Sequence, residues 1–443
     1  MLDHRHYWIW LQQALRYAST KPIRILEHYE TAENFYNAGM QAWRKLRLFT
    51  PQELRSLECT RLSYADWVIR RCERRHYTIL TPEDERYPER LLRIKNPPAV
   101  LYVWGDLTGI DDEAAIAVVG TRRCTAQGMA LAGTLGCRLA QSGMVLVSGG
   151  AVGCDICATK GALHAGARSV IVLGCGLDVD YLRENADVRV RVARNGAVIT
   201  EYQPDYSGNR VTFPQRNRIM SALSLGTVVI EAPKRSGALI TVTHALEQGK
   251  DVFAVPGNVA SAAYAGNNRL LEDGAKPVYC PMDIVGEYVD FYPNKLHTEH
   301  AYTSLGEDKM FTGLLQKLQR QQKADMHAGR PTTAGRSAEA AEHATAQGGA
   351  ARRNLNGDCQ SPERTVSRAD RKMEKSAPPV ARDVSKLGKD AQIIYNCFTN
   401  GPVTTDIILK ISGLPIENVL AALSELEIYN YIRSIAGDRY ERI

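Results

Sequence analysis

The sequence predicts an α/β protein built on a doubly wound, parallel sheet. Three observations predict it. Between residues about 114 and 285, apolar runs of strand length (Ile116–Val119, Met144–Val147, Ser169–Leu173, Ala197–Thr200, Thr227–Ile230 and Asp251–Val255) alternate with helical segments. Most of these runs are not split by polar residues, as suits strands buried on both faces. The turns after them are rich in glycine and arginine, and an open α/β sheet binds its ligands beyond the carboxyl ends of its strands. Repeated βα units of this kind imply right-handed crossovers with helices on both sides of the sheet.

The elements follow in order. Residues 1–75 read as a small domain of short helices. Tyr7 to Tyr17 is mixed apolar, and Phe35, Leu46, Leu48, Leu54, Leu57 and Trp67 recur at roughly helical spacing. Thr50-Pro51-Gln52-Glu53 is a helix start, with a Thr cap, Pro at the first helical position and Glu three residues after the cap. Such a domain either touches nucleic acid or covers its neighbour. A stretch holding Tyr87-Pro88 and Asn96-Pro97-Pro98 then leads to a strand-like run, Val100–Trp104, and the α/β domain is expected over 80–290. Within it Thr125 caps a helix whose Leu131, Leu135 and Leu139 recur every four residues.

From about 319 to 388 the composition shifts to Gln, Ala, Gly, Arg, Ser, Thr and Glu, with few large hydrophobes and no aromatics, so a disordered linker is expected. Residues 389–443 regain order: helices over Gln392–Phe398, Asp406–Ile411 and Glu417–Glu427, then short strands Tyr431–Arg433 and Arg439–Arg442 around a Gly437-Asp438 turn. Three helices and a hairpin make a winged helix. Glu417, Glu425 and Glu427 make the second helix of its helix-turn-helix (Pro415 to Glu427) acidic, which favours protein contact or a structural role over DNA reading.

At 443 residues the chain is too long for one core. Its 44% hydrophobic and 23% charged fractions are those of an ordinary soluble protein, and its net charge of +6 is compatible with a polyanionic partner. It holds no run of about 18 apolar residues and no secretory signal at Met1–His6, so a cytoplasmic protein without a membrane span is expected. Ten scattered cysteines do not form a disulfide framework. Cys154 and Cys157 form a C-x-x-C with no second pair to complete a zinc site, and are read as small hydrophobes on a buried helix face.

The chemistry-bearing residues lie in the turns. Gly120-Thr121-Arg122 follows the first strand of the sheet, Ser148-Gly149-Gly150 the second and Gly174-Cys175-Gly176 the third. In Phe213-Pro214-Gln215-Arg216-Asn217-Arg218 two arginines flank an asparagine where a loop becomes a helix. Lys234-Arg235-Ser236-Gly237 follows the Thr227–Ile230 strand. Arginine forks, glycines and free backbone N–H groups suit phosphate. The nicotinamide fingerprint and its acid at the end of the second strand are missing, as is a P-loop, since Asp251 follows Gly249-Lys250. Asp155 and Glu231, in loop positions, suit acid–base work or else ion pairing with Arg216 or Arg218 and helix capping; no nucleophile–base–orienter set can be assembled, which favours the second reading. No catalytic, cofactor or metal residue is assigned. Phe213 suits base stacking and core packing equally, with Tyr181 and Tyr202 as weaker platforms.

Six motifs occur in order: Val118-Val119-Gly120-Thr121-Arg122, Ser148-Gly149-x-Ala151-x-Gly153-x-Asp155, Val172–Asp178, Phe213–Ile219, Ser236–Thr241 and Val255-Pro256-Gly257. Together they resemble the DNA-processing protein A (DprA/Smf) family, strongly over about 80–285 and further into the C-terminal winged helix. The resemblance implies an extended Rossmann-like fold, a small N-terminal helical (SAM-like) domain, a homodimer, single-stranded DNA binding with little sequence preference, and loading of the RecA recombinase during natural transformation. It implies DNA contacts from Gly120, Thr121, Arg122, Ser148, Gly149, Phe213, Arg216, Asn217, Arg218, Arg235, Ser236 and Gly237. The chain departs from the pattern at Thr121, where serine is usual, and at Val152 and Cys154, where arginine and isoleucine are common; one positive charge is thereby missing. The N-terminal domain has Ser19-Thr20-Lys21-Pro22 in place of a glycine-rich helix-hairpin-helix turn, so it is not credited with DNA binding. Two rival readings are a nucleotide or phosphoribosyl hydrolase on the same fold, whose P-G-G-x-G-T-x-x-E loop is absent, and a structural hub with an inert sheet.

Overall fold

The computed structural model describes residues 3–327, 389–398, 403–414, 431–435 and 439–442, together with 418, 419, 422, 423 and 426. The chain divides into two units, Met1–Asn354 and Leu355–Ile443.

The first unit opens with helices α1 (His4–Leu15), α2 (Lys21–Tyr29), α3 (Ala32–Lys45), α4 (Pro51–Cys59) and α5 (Ser63–Arg75). At the start of α4, Thr50 and Glu53 form the full capping box: Thr50 N–H donates to the Glu53 carboxylate at 2.7 Å and Glu53 N–H to Thr50 Oγ1 at 3.2 Å. The core of these helices is aromatic, with Trp8, Trp10, Phe35 and Trp43 buried and the Phe35 and Trp43 rings stacked at 5.3 Å. It is continuous with Val100 and Tyr102 of the neighbouring sheet. Gln12 Nε2 donates to the Glu201 carbonyl at 3.0 Å. The helices therefore cover one edge of the next domain.

That domain holds a sheet of nine strands among the described residues: β1 (Thr78–Leu80), β2 (Leu101–Gly105), β3 (Ala115–Val119), β4 (Val145–Ser148), β5 (Ser169–Val172), β6 (Gly196–Thr200), β7 (Gly226–Val229), β8 (Asp251–Ala254) and β9 (Lys276–Pro277), in the order β1-β2-β6-β5-β4-β3-β7-β8-β9. From β6 to β9 every pairing is parallel. The Val100–Trp104 run is a strand, but it and β1 run antiparallel at the edge. Gly105 closes that pairing with φ +104°, and a Cβ there would lie 2.2 Å from the Gly196 carbonyl.

The central strands are buried on both faces, as their unbroken apolar runs require. Ile116 and Val118 of β3 face helices α7 (Ala126–Gln141) and α8 (Cys154–His164); Ala115 and Val119 face α10 (Thr212–Leu223) and α11 (Ala238–Glu247). Shorter helices α6 (Glu89–Leu92), α9 (Ala186–Arg194), α12 (Ala265–Glu272) and α13 (Met282–Val285) complete the domain's series up to α13. The chain steps from β3 outward through β4 and β5 to β6, then returns to lay β7 on the other side of β3 and continues to β8. The winding reverses between β3 and β7, and a crevice opens there.

Helix α14 (Lys309–His327) corrects the expected start of the linker at 319. Its Phe311, Leu314, Leu315 and Leu318 pack into the core containing α7, and glutamine is a good helix former, so the Gln316–Gln322 stretch continues the helix. The remainder of the expected linker lies outside the described residues. Among those described, no helix is long and apolar enough to cross a membrane.

The second unit has helices Lys389–Asn396 and Thr405–Ser412 and a three-stranded antiparallel sheet in which Arg439–Arg442 lies between Val403–Thr404 and Ile432–Ile435. Ile394, Phe398, Ile408, Val419, Leu423, Leu426 and Ile432 form its core. The Gly437-Asp438 turn and Glu417, Glu425 and Glu427 lie outside the described residues.

Candidate nucleic-acid interface

At the winding reversal lies a cleft of about 370 Å³. The loop after β3 supplies Gly120, Thr121 and Arg122; the first turns of α10 supply Phe213, Arg216 and Asn217; the turn between β7 and α11 supplies Arg235, Ser236 and Gly237. These sequence-predicted residues come together from three crossovers. Arg122 and Arg235 are exposed at the rim. The Arg122 guanidinium stands 5.7 Å from the centre of the Phe213 ring, within cation–π range.

Phe213 is half-buried, which leaves both readings of it open. It packs against Tyr181, with ring centres 5.0 Å apart, and over Gly174, where a Cβ would lie 2.7 Å from Phe213 Cδ1. It also lines the cleft. The other aromatic candidates sit deeper. Tyr181 is the buried support beneath Phe213, and Tyr202 is fully buried with its hydroxyl donating to the Thr212 carbonyl at 3.2 Å.

Arg216 forms the inner wall. It is 3% exposed, donates Nη1–H to the Gly149 carbonyl at 3.0 Å and Nε–H to Asn217 Oδ1 at 3.2 Å. Burial pulls its pKa down. Asp155 also lines the cleft and accepts from Gly149 N–H at 3.2 Å. It stands in the first turn of α8 rather than in a loop. Burial pushes its pKa up to about 6, against the opposing pull of Arg216 and Arg122.

Three of the expected contact residues stand elsewhere. Arg218 is 2% exposed and grips Glu201 with both terminal nitrogens at 2.7 Å, while its Nε donates to the Asn96 carbonyl at 3.0 Å. Residues two apart on a helix project about 200° from one another, so α10 cannot turn both arginines into the cleft. Ser148 is buried at the end of β4 and donates to the Val118 carbonyl at 3.1 Å. Gly149 acts from behind the cleft: its N–H holds Asp155, its carbonyl holds Arg216, and a Cβ would lie 2.5 Å from Arg216 Nη2.

Glu231 joins two walls of the cleft. Its carboxylate accepts from Thr125 N–H at 2.9 Å and Thr125 Oγ1 at 2.6 Å, fixing the cap of α7, and its carbonyl accepts from Thr121 N–H at 2.7 Å. Burial raises its pKa. Arg123 and Thr241 line the cleft as well and were not singled out from the sequence. The Arg122-Arg123 doublet was the available signal for one; Thr241 closes the Ser236–Thr241 motif, and its hydroxyl is buried without a partner among the described residues.

A Rossmann-like sheet with an arginine-rimmed crevice at its winding reversal defines a doubly wound α/β protein, a class whose ligand sites fall at that crevice. Comparison narrows the class. Residues 78–289 match the family model described as DNA recombination-mediator protein A, and residues 376–438 match the DprA winged helix domain. The chain is 37% identical over 203 residues to the DNA processing protein DprA of Bacillus subtilis, spanning 46% of this chain and 68% of that one. It is 37% identical over 205 residues to the Streptococcus pneumoniae protein of the same name, spanning 46% and 72%. The X-ray structure of Streptococcus pneumoniae DprA superimposes with a TM-score of 0.57 at 27% identity, covering 65% of this chain and 99% of that one. The chain belongs to the DprA/Smf family of DNA recombination mediators.

Proposed function

We propose that this chain is a non-enzymatic, cytoplasmic single-stranded DNA binder that works as a homodimer, protects incoming DNA and loads the RecA recombinase onto it during natural transformation. The observation that carries the binding reading is the convergence of Arg122, Arg216 and Arg235 from three crossovers on one cleft that also holds the Phe213 ring. Phosphates lie against the arginines and a base stacks on Phe213, a combination that tolerates any sequence because every base has a π-face. Asp155 and Glu231 support it by their engagement in holding Gly149 and Thr125.

Anisotropy titration of labelled single- and double-stranded oligonucleotides at two salt concentrations tests the binding reading. Tighter binding of the single strand, weakening steeply with salt, is expected; salt-independent or absent binding overturns it. RecA loading is tested by RecA ATPase on single strands precoated with single-strand-binding protein. A shorter lag when this protein is added is expected, and an unchanged lag removes that part of the proposal.

A further inference from the structure

We propose that helix α5 carries a second stretch of the single-strand track, so that a strand leaving the cleft continues over the N-terminal domain. The inference rests on the cleft reading above and adds a site to it. Arg70, Arg71, Arg74 and Arg75 fall on α5 at spacings that set 70 beside 74 and 71 beside 75, one turn apart. Like charges at this spacing repel one another; the helix dipole favours Arg74 and Arg75 in the last turn but does nothing for Arg70 and Arg71 one turn earlier.

The guanidinium groups are left available. Arg70 and Arg74 spend only Nε–H on the carbonyls of Asp66 (3.2 Å) and Arg70 (3.3 Å) in their own helix, and their terminal nitrogens have no protein partner among the described residues. Arg71 and Arg75 direct Nε to Asp178 at 2.5 and 3.1 Å, which orients both forks. Arg71, Arg74 and Arg75 surround a hollow of about 340 Å³. Asp66 and Glu73 on the same helix and Asp178, Asp180 and Asp205 beyond it are the acids nearby; Asp66 pairs with His6 at 3.0 Å, Asp178 is 5% exposed and held by three donors, and Asp180 lies 3.8 Å from Arg183.

Aromatic rings interleave with these cations. Trp67, one turn before Arg71, lies 5.4 Å under its guanidinium, and Tyr64 stacks on Trp67 at 5.9 Å with the planes 30° apart. Both rings are half-buried, leaving an edge to solvent. Cations alternating with rings are what a sequence-tolerant single-strand surface uses; a protein partner with an acidic face needs the cations but not the rings. The loop after β5 joins the two places: Asp178 anchors the arginines, and Tyr181 of the same loop supports Phe213 in the cleft. Three residues of chain put the two anchoring Cα atoms at most about 11 Å apart, and the side chains held at either end add to that separation, so a strand longer than the cleft itself spans both places.

The test uses the full-length chain, with oligo-dT of about 6 and about 30 nucleotides, read by anisotropy across a salt series. In Arg70→Ala/Arg74→Ala, which breaks no ion pair, the short oligonucleotide binds as before. The long one binds about five- to twentyfold more weakly, and its salt slope flattens by roughly 1.4, about 0.7 for each lost phosphate. Trp67 emission, identified by its loss in Trp67→Phe, is quenched by the long oligonucleotide and not by the short one. Unchanged affinity and slope for the long oligonucleotide in the double variant overturn the proposal, as does unquenched Trp67 emission. The cleft reading fails by a separate result, unchanged short-oligonucleotide binding in Arg122→Ala.

Discussion

The Arg122 guanidinium rests 5.7 Å from the centre of the Phe213 ring, although one residue follows β3 and the other opens the helix that follows β6. The contact bridges two crossovers and places a charge that can meet a phosphate beside a surface that can meet a base. Glu231 fixes the geometry from below by binding both Thr121 and Thr125 in the loop that carries Arg122.

Arg122→Ala and Arg235→Ala are each expected to weaken oligo-dT binding several-fold and flatten the salt slope by roughly 0.7, since each removes a rim cation. Both side chains are exposed, so thermal stability should stay within about 0.5 kcal/mol of the parent. Arg122→Lys should recover only part of the loss, because an ammonium keeps the charge but not the flat fork over Phe213. Anisotropy at several salt concentrations, with a melting curve for each variant, checks all three.

Arg218→Ala is expected to act on stability. It leaves Glu201, itself 1% exposed, as a buried carboxylate without its cation, at a cost of about 3–5 kcal/mol. The double variant Arg218→Ala/Glu201→Gln should lose markedly less than the two single changes added together. Urea unfolding of the four proteins closes the cycle; an Arg218→Ala protein of parental stability would contradict the buried-pair assignment.

The same pair of arginines shows where the sequence is legible and where it is not. Unbroken apolar runs such as Ile116–Val119 mark buried parallel strands because both faces of each strand must be apolar. The turns that follow them are thereby placed at one edge, so the sequence groups Arg122, Arg216, Arg218 and Arg235 there. Arg216 and Arg218 look equivalent in a linear motif, and only the helical period of α10 sends one to the cleft and the other to Glu201. The direction of Val100–Trp104 was not legible, because an apolar run of strand length reads the same parallel or antiparallel. The helix through Gln316–Gln322 was not legible because the polar composition there hides helix formers that need only Leu314, Leu315 and Leu318 to dock.

Asp155 makes stability pH-dependent. Its pKa in the fold is about 6, above the ordinary 3.8, so between these values the folded protein holds a proton that the unfolded chain has released. Its contribution to stability therefore falls as pH rises from about 4 to about 6 and is constant above, a total of about 3 kcal/mol to order of magnitude. Asp155→Asn keeps an acceptor for Gly149 N–H and removes the titration. Unfolding free energies at pH 5 and pH 8 should differ less in the variant than in the parent; an equal difference would place the titration elsewhere.

Two glycines of the cleft loops separate backbone need from ligand need. Gly153 holds φ +90° ahead of α8, and a Cβ would meet the Thr121 carbonyl at 2.4 Å and Arg122 Cα at 2.9 Å. Gly153→Ala should therefore cost about 1–3 kcal/mol and displace the Arg122 loop, weakening DNA binding together with stability. Gly237 has neither a positive φ nor any atom within 4 Å of where a Cβ would stand, yet it lines the cleft at the start of α11. Gly237→Ala should thus leave urea unfolding within about 0.5 kcal/mol of the parent. A phosphate approaching the helix start at van der Waals distance would meet the added methyl, so oligo-dT affinity should drop although stability does not. Equal affinity in Gly237→Ala would move the strand away from the α11 turn and leave Arg122, Arg216 and Phe213 as the whole of the grip.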